Sequence, residues 1–167
     1  MIVLFARGSE FLGSQVASGL PALEQAVTCN NAVQVASGVP DVTSGGISFS
    51  SIDFQKSTSS PLGFALKTFA TPADPATADL TKLQNQLNVY LAVEAGVRSQ
   101  PNSSSLLANL KGPKFFLQFQ IARVNQGKGV ALSAADSVEH QLGKVTKNAV
   151  GASADELAQV TALSKDV

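Results

Sequence analysis

The sequence predicts an α+β fold, with short antiparallel strands in the N-terminal half packed with four or five helices mostly in the C-terminal half. Three observations carry this expectation. Val33 and Val35, then Ile47 and Phe49, alternate with polar neighbours, the period-two pattern of half-buried strands. Leu80, Leu83, Leu87, Tyr90 and Leu91 recur at helical spacing and form one apolar stripe. Ser133 with Asp136, and Ser153 with Glu156, have the Ser-x-x-acid spacing of capping boxes and announce two helices near the end of the chain. A mainly helical bundle is the alternative.

Each element follows in order. Val16, Leu20, Leu23 and Val27 make residues 15–28 an amphipathic helix, kinked or restarted at Pro21 and ended by Asn30-Asn31. Residues 32–71 read as short strands. Ile52 and Phe54 resume the alternation of Ile47 and Phe49 on a shifted phase, which suggests a bulge at Ser50-Ser51. Gly45-Gly46 and residues 57–61 are turns, and residues 62–69 fit a strand or a short helix equally. Pro72 and Pro75 mark a compositional boundary near 72–76 within a single domain of residues 1–167. Residues 78–99 form the best helix, with Thr77 as its N-cap. Residues 100–105 are a loop, and 106–110 add one turn before Gly112-Pro113. Residues 115–124 alternate as Leu117, Phe119 and Ile121 against Gln118, Gln120 and Ala122, which favours a strand. The apolar residues also wrap a helical wheel completely, which would mean a buried helix. Residues 125–129 are a turn. Val138, Leu142 and Val145 line the first of the two last helices, and Leu157, Val160 and Leu163 or Ser164 the second.

The composition excludes several functions. Twelve basic and twelve acidic residues cancel, only 14% of residues are charged, and 48 of the 167 are Ser, Thr, Asn or Gln. A charge balance of zero leaves no electrostatic footprint for nucleic acid or an anionic membrane, and no apolar run is long enough for a membrane span. One Cys and one His make neither a disulfide nor an ordinary zinc site, so no cofactor or metal is expected. Gly8-Ser9-Glu10-Phe11 is what two adjacent restriction sites encode, so residues 1–11 carry the mark of a vector-encoded leader and are set aside from fold reasoning. Asn102-Ser103-Ser104 fits the N-glycosylation pattern, a weak signal in so Ser-rich a chain.

Candidate chemistry is sparse. Glu94 and Arg98 fall close to the apolar stripe of the 78–99 helix, one turn after Tyr90. Their ordinary role is a solvated i,i+4 pair where the helix leaves the core; their functional role is the polar floor of a pocket. Phe115 and Phe119 crowd with Phe116, either as core or as the apolar lining of a ligand cavity. Tyr90, Glu94, Arg98, Phe115 and Phe119 are therefore the candidate ligand-binding residues. His140, with Asp136 one turn before it and Ser133 or Ser137 nearby, has the composition of a catalytic triad without its geometry, and a surface imidazole is the expectation. Cys29, after a helix end, should be an inert thiol. Gly127-Lys128-Gly129 lacks the spacing of a phosphate loop.

These features point to a non-enzymatic structural or self-assembling protein with a neutral polar surface, secreted or part of a larger particle. The expected partner is another copy of the chain, since nothing repels one copy from the next. A carrier for a small apolar, lipid-like ligand is the alternative, and a hydrolytic enzyme of unknown type the second.

Overall fold

The structure, a computed structural model, describes residues 22–167. Residues 1–11, expected to be a leader, and most of the expected first helix, including Val16, Leu20 and Pro21, lie outside the described residues; residues 22–26 are helical. The fold is α+β. A three-stranded antiparallel sheet of order β1-β2-β3 occupies the N-terminal part, with β1 at Thr28–Ala36, β2 at Val39–Ser44 and β3 at Ile47–Ser48. Five helices follow: α1 Pro61–Thr68, α2 Leu80–Arg98, α3 Ser104–Gly127, α4 Val138–Lys147 and α5 Ala154–Leu163.

The chain clusters into two compact units, each drawn from two stretches. The first combines the chain up to Asp53 with Asn85–Leu107, and the second combines Phe54–Gln84 with Ala108–Val167. In the first unit, Gly45-Gly46 joins β2 to β3 as expected. Ser44 faces Ile47 across the ladder, and both glycines have positive φ, +53° and +81°, which suits the twist of a two-residue hairpin. β1 starts at Thr28, earlier than expected, so Asn30 and Asn31 lie inside a strand instead of ending a helix. The β1–β2 register jumps from Asn30↔Asp41 to Gln34↔Pro40. Pro40 has no N–H to give the ladder, and the pairing breaks beside it.

Ile52 and Phe54 do not resume a strand. Phe49–Ser51 and Phe54–Lys56 are 3-10 turns. Ser51 Oγ donates to the Ser48 carbonyl at 2.6 Å, and Ser50 donates both its N–H and its hydroxyl to Asp41. Such local side-chain partners compete with a ladder. The phase shift in the sequence therefore marks the end of the sheet.

In the second unit the ambiguous residues 62–69 belong to a helix. Ser60 caps α1 by accepting from Gly63 N at 2.9 Å, and Pro61 occupies the first helical position, where its missing N–H costs nothing. The cap of α2 is Asp79, whose Oδ1 accepts from Lys82 N at 2.9 Å, and not Thr77. Thr77 belongs to the preceding turn and donates to the Asp74 carbonyl.

The largest departure from expectation is α3. It runs unbroken through Gly112-Pro113 and through residues 115–124, which are helix and not strand. Gln120 and Arg123 are as buried as Phe116, Leu117 and Phe119, so polar-apolar alternation here does not separate an inner from an outer face. The alternative wheel reading, a buried helix, is the one observed, although Phe115, Gln118 and Ile121 leave one side half-exposed. Gly112 does not end the helix; a Cβ there would stand 3.1 Å from Pro61 Cβ, so glycine lets α1 approach closely. The turn expected at 125–129 begins after Gly127.

Ser133 caps only the 3-10 turn Ala134–Asp136, and Ser137 caps α4 four residues later. Val138 and Val145 are buried as expected, but Gln141, 5% exposed, takes the inner position assigned to Leu142. The Ser153–Glu156 capping box on α5 has both of its hydrogen bonds, and Val160 is fully buried.

Candidate functional site

Three groups of side chains carry the unusual chemistry. The first lies in the first unit on α2. Tyr90 is fully buried, its hydroxyl donates to the Ile52 carbonyl at 2.8 Å, and its ring meets Phe49 edge-on at 5.0 Å. One turn later, Arg98 Nη2 donates to Glu94 Oε1 at 2.7 Å; the side chains are 29% and 3% exposed. The pair is thus not a solvated surface bridge. The carboxylate is inside, and the arginine that holds it is part-exposed, although its Nε is buried without a partner among the described residues. Helical spacing brings Glu94 and Arg98 together, whereas Tyr90, one turn before Glu94, is engaged with Ile52 and Phe49. Phe115 and Phe119 belong to the other unit and are described there.

The second group centres on Arg123 in the second unit. Its side chain is 1% exposed. Nη1 donates to Gln120 Oε1 at 2.6 Å and to Thr71 Oγ1 at 3.0 Å, and Nη2 donates to the Asp166 carbonyl at 2.7 Å. Nε has no partner among the described residues. Gln120 in turn donates to the Phe69 carbonyl at 3.0 Å. Burial pushes the guanidinium below its ordinary pKa, opposed by the charge of Asp166. Phe119 is fully buried, with Phe116 at 6.0 Å and the Arg123 guanidinium 5.8 Å from its ring centre. Arg123 therefore ties residues far apart in sequence to α3. Phe119 is part of that packing.

The third group is a groove of about 880 Å³ in the same unit, which the sequence did not single out. Lys111 from α3 lines it with His140, Lys144, Lys147 and Asn148 from α4 and its end; Glu139 is its one carboxylate. Phe115, half-buried, lies beside this group: the Lys114 and Lys144 ammoniums stand 4.4 Å and 5.8 Å from its ring centre. His140 is exposed, and Ser137 spends its hydroxyl on the Ala134 carbonyl and the His140 N–H. The sequence signal for this groove was the spacing of His140, Lys144 and Lys147 on the polar side of an amphipathic helix. Lys111 could be added only once α3 was known to be continuous.

Cys29 is half-buried on β1, not at a helix end, and burial pushes its thiol up. Among the described residues no cluster of three metal-ligating side chains occurs, and no helix is long and apolar enough to cross a membrane.

Fold and side chains define an α+β domain whose buried charges are spent on internal bonds. The chain belongs to the family described as Domain of unknown function (DUF7143), whose model matches residues 6–167. No curated protein and no solved structure matches it.

Proposed function

We propose that the chain is a non-enzymatic structural or self-assembling module, and that β1 is where one copy meets another. The observation behind this reading is the surface of β1. Its nine residues contain no charged side chain, six are exposed, and Val33 is 41% exposed. Natural sheets normally protect an edge strand with lysine, proline, a bulge or a covering element. Of the side-chain and bulge devices, β1 has only its irregular register opposite Pro40. A neutral strand that exposes Thr28, Val33 and uncharged polar side chains, on a chain with a net charge of zero, suits pairing with its own kind without repulsion. The same polar, uncharged surface suits exposure outside the cell or burial in a larger particle.

The competing readings lose their reactive groups to the fold. Tyr90 and Glu94, assigned to the polar end of an apolar ligand, already bond Ile52 and Arg98. Ser137 and His140, the nearest approach to a nucleophile and base, share only a capping bond. Sedimentation velocity over about two decades of concentration tests the proposal. We expect a reversible dimer or larger species that Val33→Lys returns to monomer. A monomer throughout, or an oligomer indifferent to Val33→Lys, overturns it.

A further inference from the structure

We infer that the groove between α3 and α4 binds a small soluble phosphate compound carrying at least two negative charges, such as a diphosphate. The argument starts from where the bases are. Residues 108–148 hold Lys111, Lys114, Arg123, Lys128, Lys144 and Lys147 against only Asp136 and Glu139. Arg123 is consumed inside the fold and Lys114 is 7% exposed, but Lys111, Lys144 and Lys147 all open onto one groove. His140, Lys144 and Lys147 lie at i, i+4 and i+7, one face of α4, and Lys111 enters from the other helix. Among the described residues, none of the three ammoniums lies within 4.0 Å of a carboxylate.

Three lysines that share one groove carboxylate, Glu139, and are ion-paired with none raise the local potential and repel one another, a cost that a bound dianion reduces. Lys144 is also steadied: it is half-buried and stands over the Phe115 ring, so less side-chain entropy is lost when it takes a ligand. The imidazole of His140 and the second amide hydrogen of Asn148, whose Nδ2 also donates to the Lys144 carbonyl, add donors that suit phosphate oxygens.

Size and surroundings choose among phosphate sources. The groove, about 880 Å³, is open to solvent, which suits a small, highly charged ligand held by side-chain cations and not one that must be enclosed. A nucleic-acid backbone needs a longer basic track than one helical face supplies. A lipid headgroup site would add large apolar side chains to enter the bilayer, whereas the non-polar part of this rim is Ala134 and Gly143.

Pyrophosphate titrated into the full-length protein, followed by amide NMR shifts at constant ionic strength, tests this. We expect saturable shifts confined to residues 137–148 and the neighbourhood of Lys111. Lys144→Gln with Lys147→Gln should weaken binding about tenfold or more, and Lys147→Gln alone, at an exposed position, about threefold. Unchanged melting temperatures would show that the variants fold. Shifts that do not saturate, or that survive the double substitution, overturn the site. Citrate binding as tightly as pyrophosphate overturns its preference for phosphate. Tighter capture by vesicles containing phosphoinositide than by pyrophosphate overturns the soluble source. None of these readouts depends on association through β1.

Discussion

The two units each bury a guanidinium-bearing partnership, and they solve the electrostatic problem differently. In the first, Arg98 sits one helical turn from Glu94, opposite charges meet, and the cation keeps 29% exposure. In the second, Arg123 is 1% exposed and is hydrogen-bonded only to neutral oxygens, from Gln120, Thr71 and the Asp166 main chain, while the charge of Asp166 acts on it without a direct bond. A carboxylate can be buried cheaply when its cation is local and still touches water. A cation can be buried among neutral acceptors only when several chain segments converge on it. The first arrangement needs one helix, whereas the second needs the finished unit.

That contrast ranks the expected damage. Arg123→Met should be the most destructive change, because it strips Gln120 Oε1, Thr71 Oγ1 and the Asp166 carbonyl of their common donor. We expect a loss of about 3–5 kcal/mol, or roughly 6–20 °C in Tm, by thermal or urea denaturation. Arg123→Lys keeps the charge but not the planar fork and should recover only part of this. If the methionine variant were as stable as the parent, the guanidinium would be a passenger and the comparison would fail.

The helical pair should respond by less, and asymmetrically. Arg98→Gln leaves a carboxylate that is 3% exposed without its ion partner, and should cost about 2–3 kcal/mol. Glu94→Gln leaves a cation that can turn to solvent, and should cost about 1–2 kcal/mol. The double variant should cost less than the sum, since neither charge is then stranded. A double-mutant cycle in urea measures all three. Equal single losses would mean that the burial of Glu94 does not matter.

The same distinction explains what could be read from the sequence. Glu94–Arg98, the α2 stripe and the Ser153–Glu156 box are local, and i,i+3 or i,i+4 spacing brings their groups together without further information. Phe115 to Val124 defeated period counting because Gln120 and Arg123 are polar yet buried, their partners lying about fifty residues away. Gly112-Pro113 had the chemistry of a helix end, but the glycine answers the approach of Pro61, a contact that no local pattern encodes. Thr77 was the expected cap, but it belongs to the Pro75–Thr77 turn, and Asp79 takes the capping position two residues later. The basic groove joins Lys111 to residues thirty positions on, and so it too waited for the fold.

A smaller effect in the second unit tests whether a local cap can also be tied over long range. Glu156 closes its own capping box through Ser153 N at 2.8 Å and also accepts from Ser60 Oγ at 2.8 Å, the cap of α1. One carboxylate thus serves two helix starts, where the dipoles favour it. Gly63 leaves the space for it, because a Cβ there would run into Glu156 Oε1. Gly63→Ala should therefore destabilise by about 1–2 kcal/mol, although alanine is the better helix former. Ser60→Ala should cost about 1 kcal/mol. A more stable Gly63→Ala variant would show that propensity outweighs the bridge.

The smallest expected effect returns to desolvation, which shifts one group in each unit towards its neutral form. Arg123 is pushed down from so high a value that it stays protonated throughout the working range. Cys29 is pushed up from 9.0, within reach of experiment. A raised thiol pKa means that the folded state binds its proton more tightly than the unfolded chain. Its contribution to stability is then whole below pH 9.0 and declines as the pH rises through and above that value. The rate of disulfide exchange with an aromatic disulfide should accordingly rise at higher pH in the folded protein than in urea. The stability difference between the parent and Cys29→Ser should narrow on the alkaline side. A reactivity curve displaced to lower pH would mean that a neighbouring positive charge, and not burial, governs β1, and would remove desolvation as the influence common to both units.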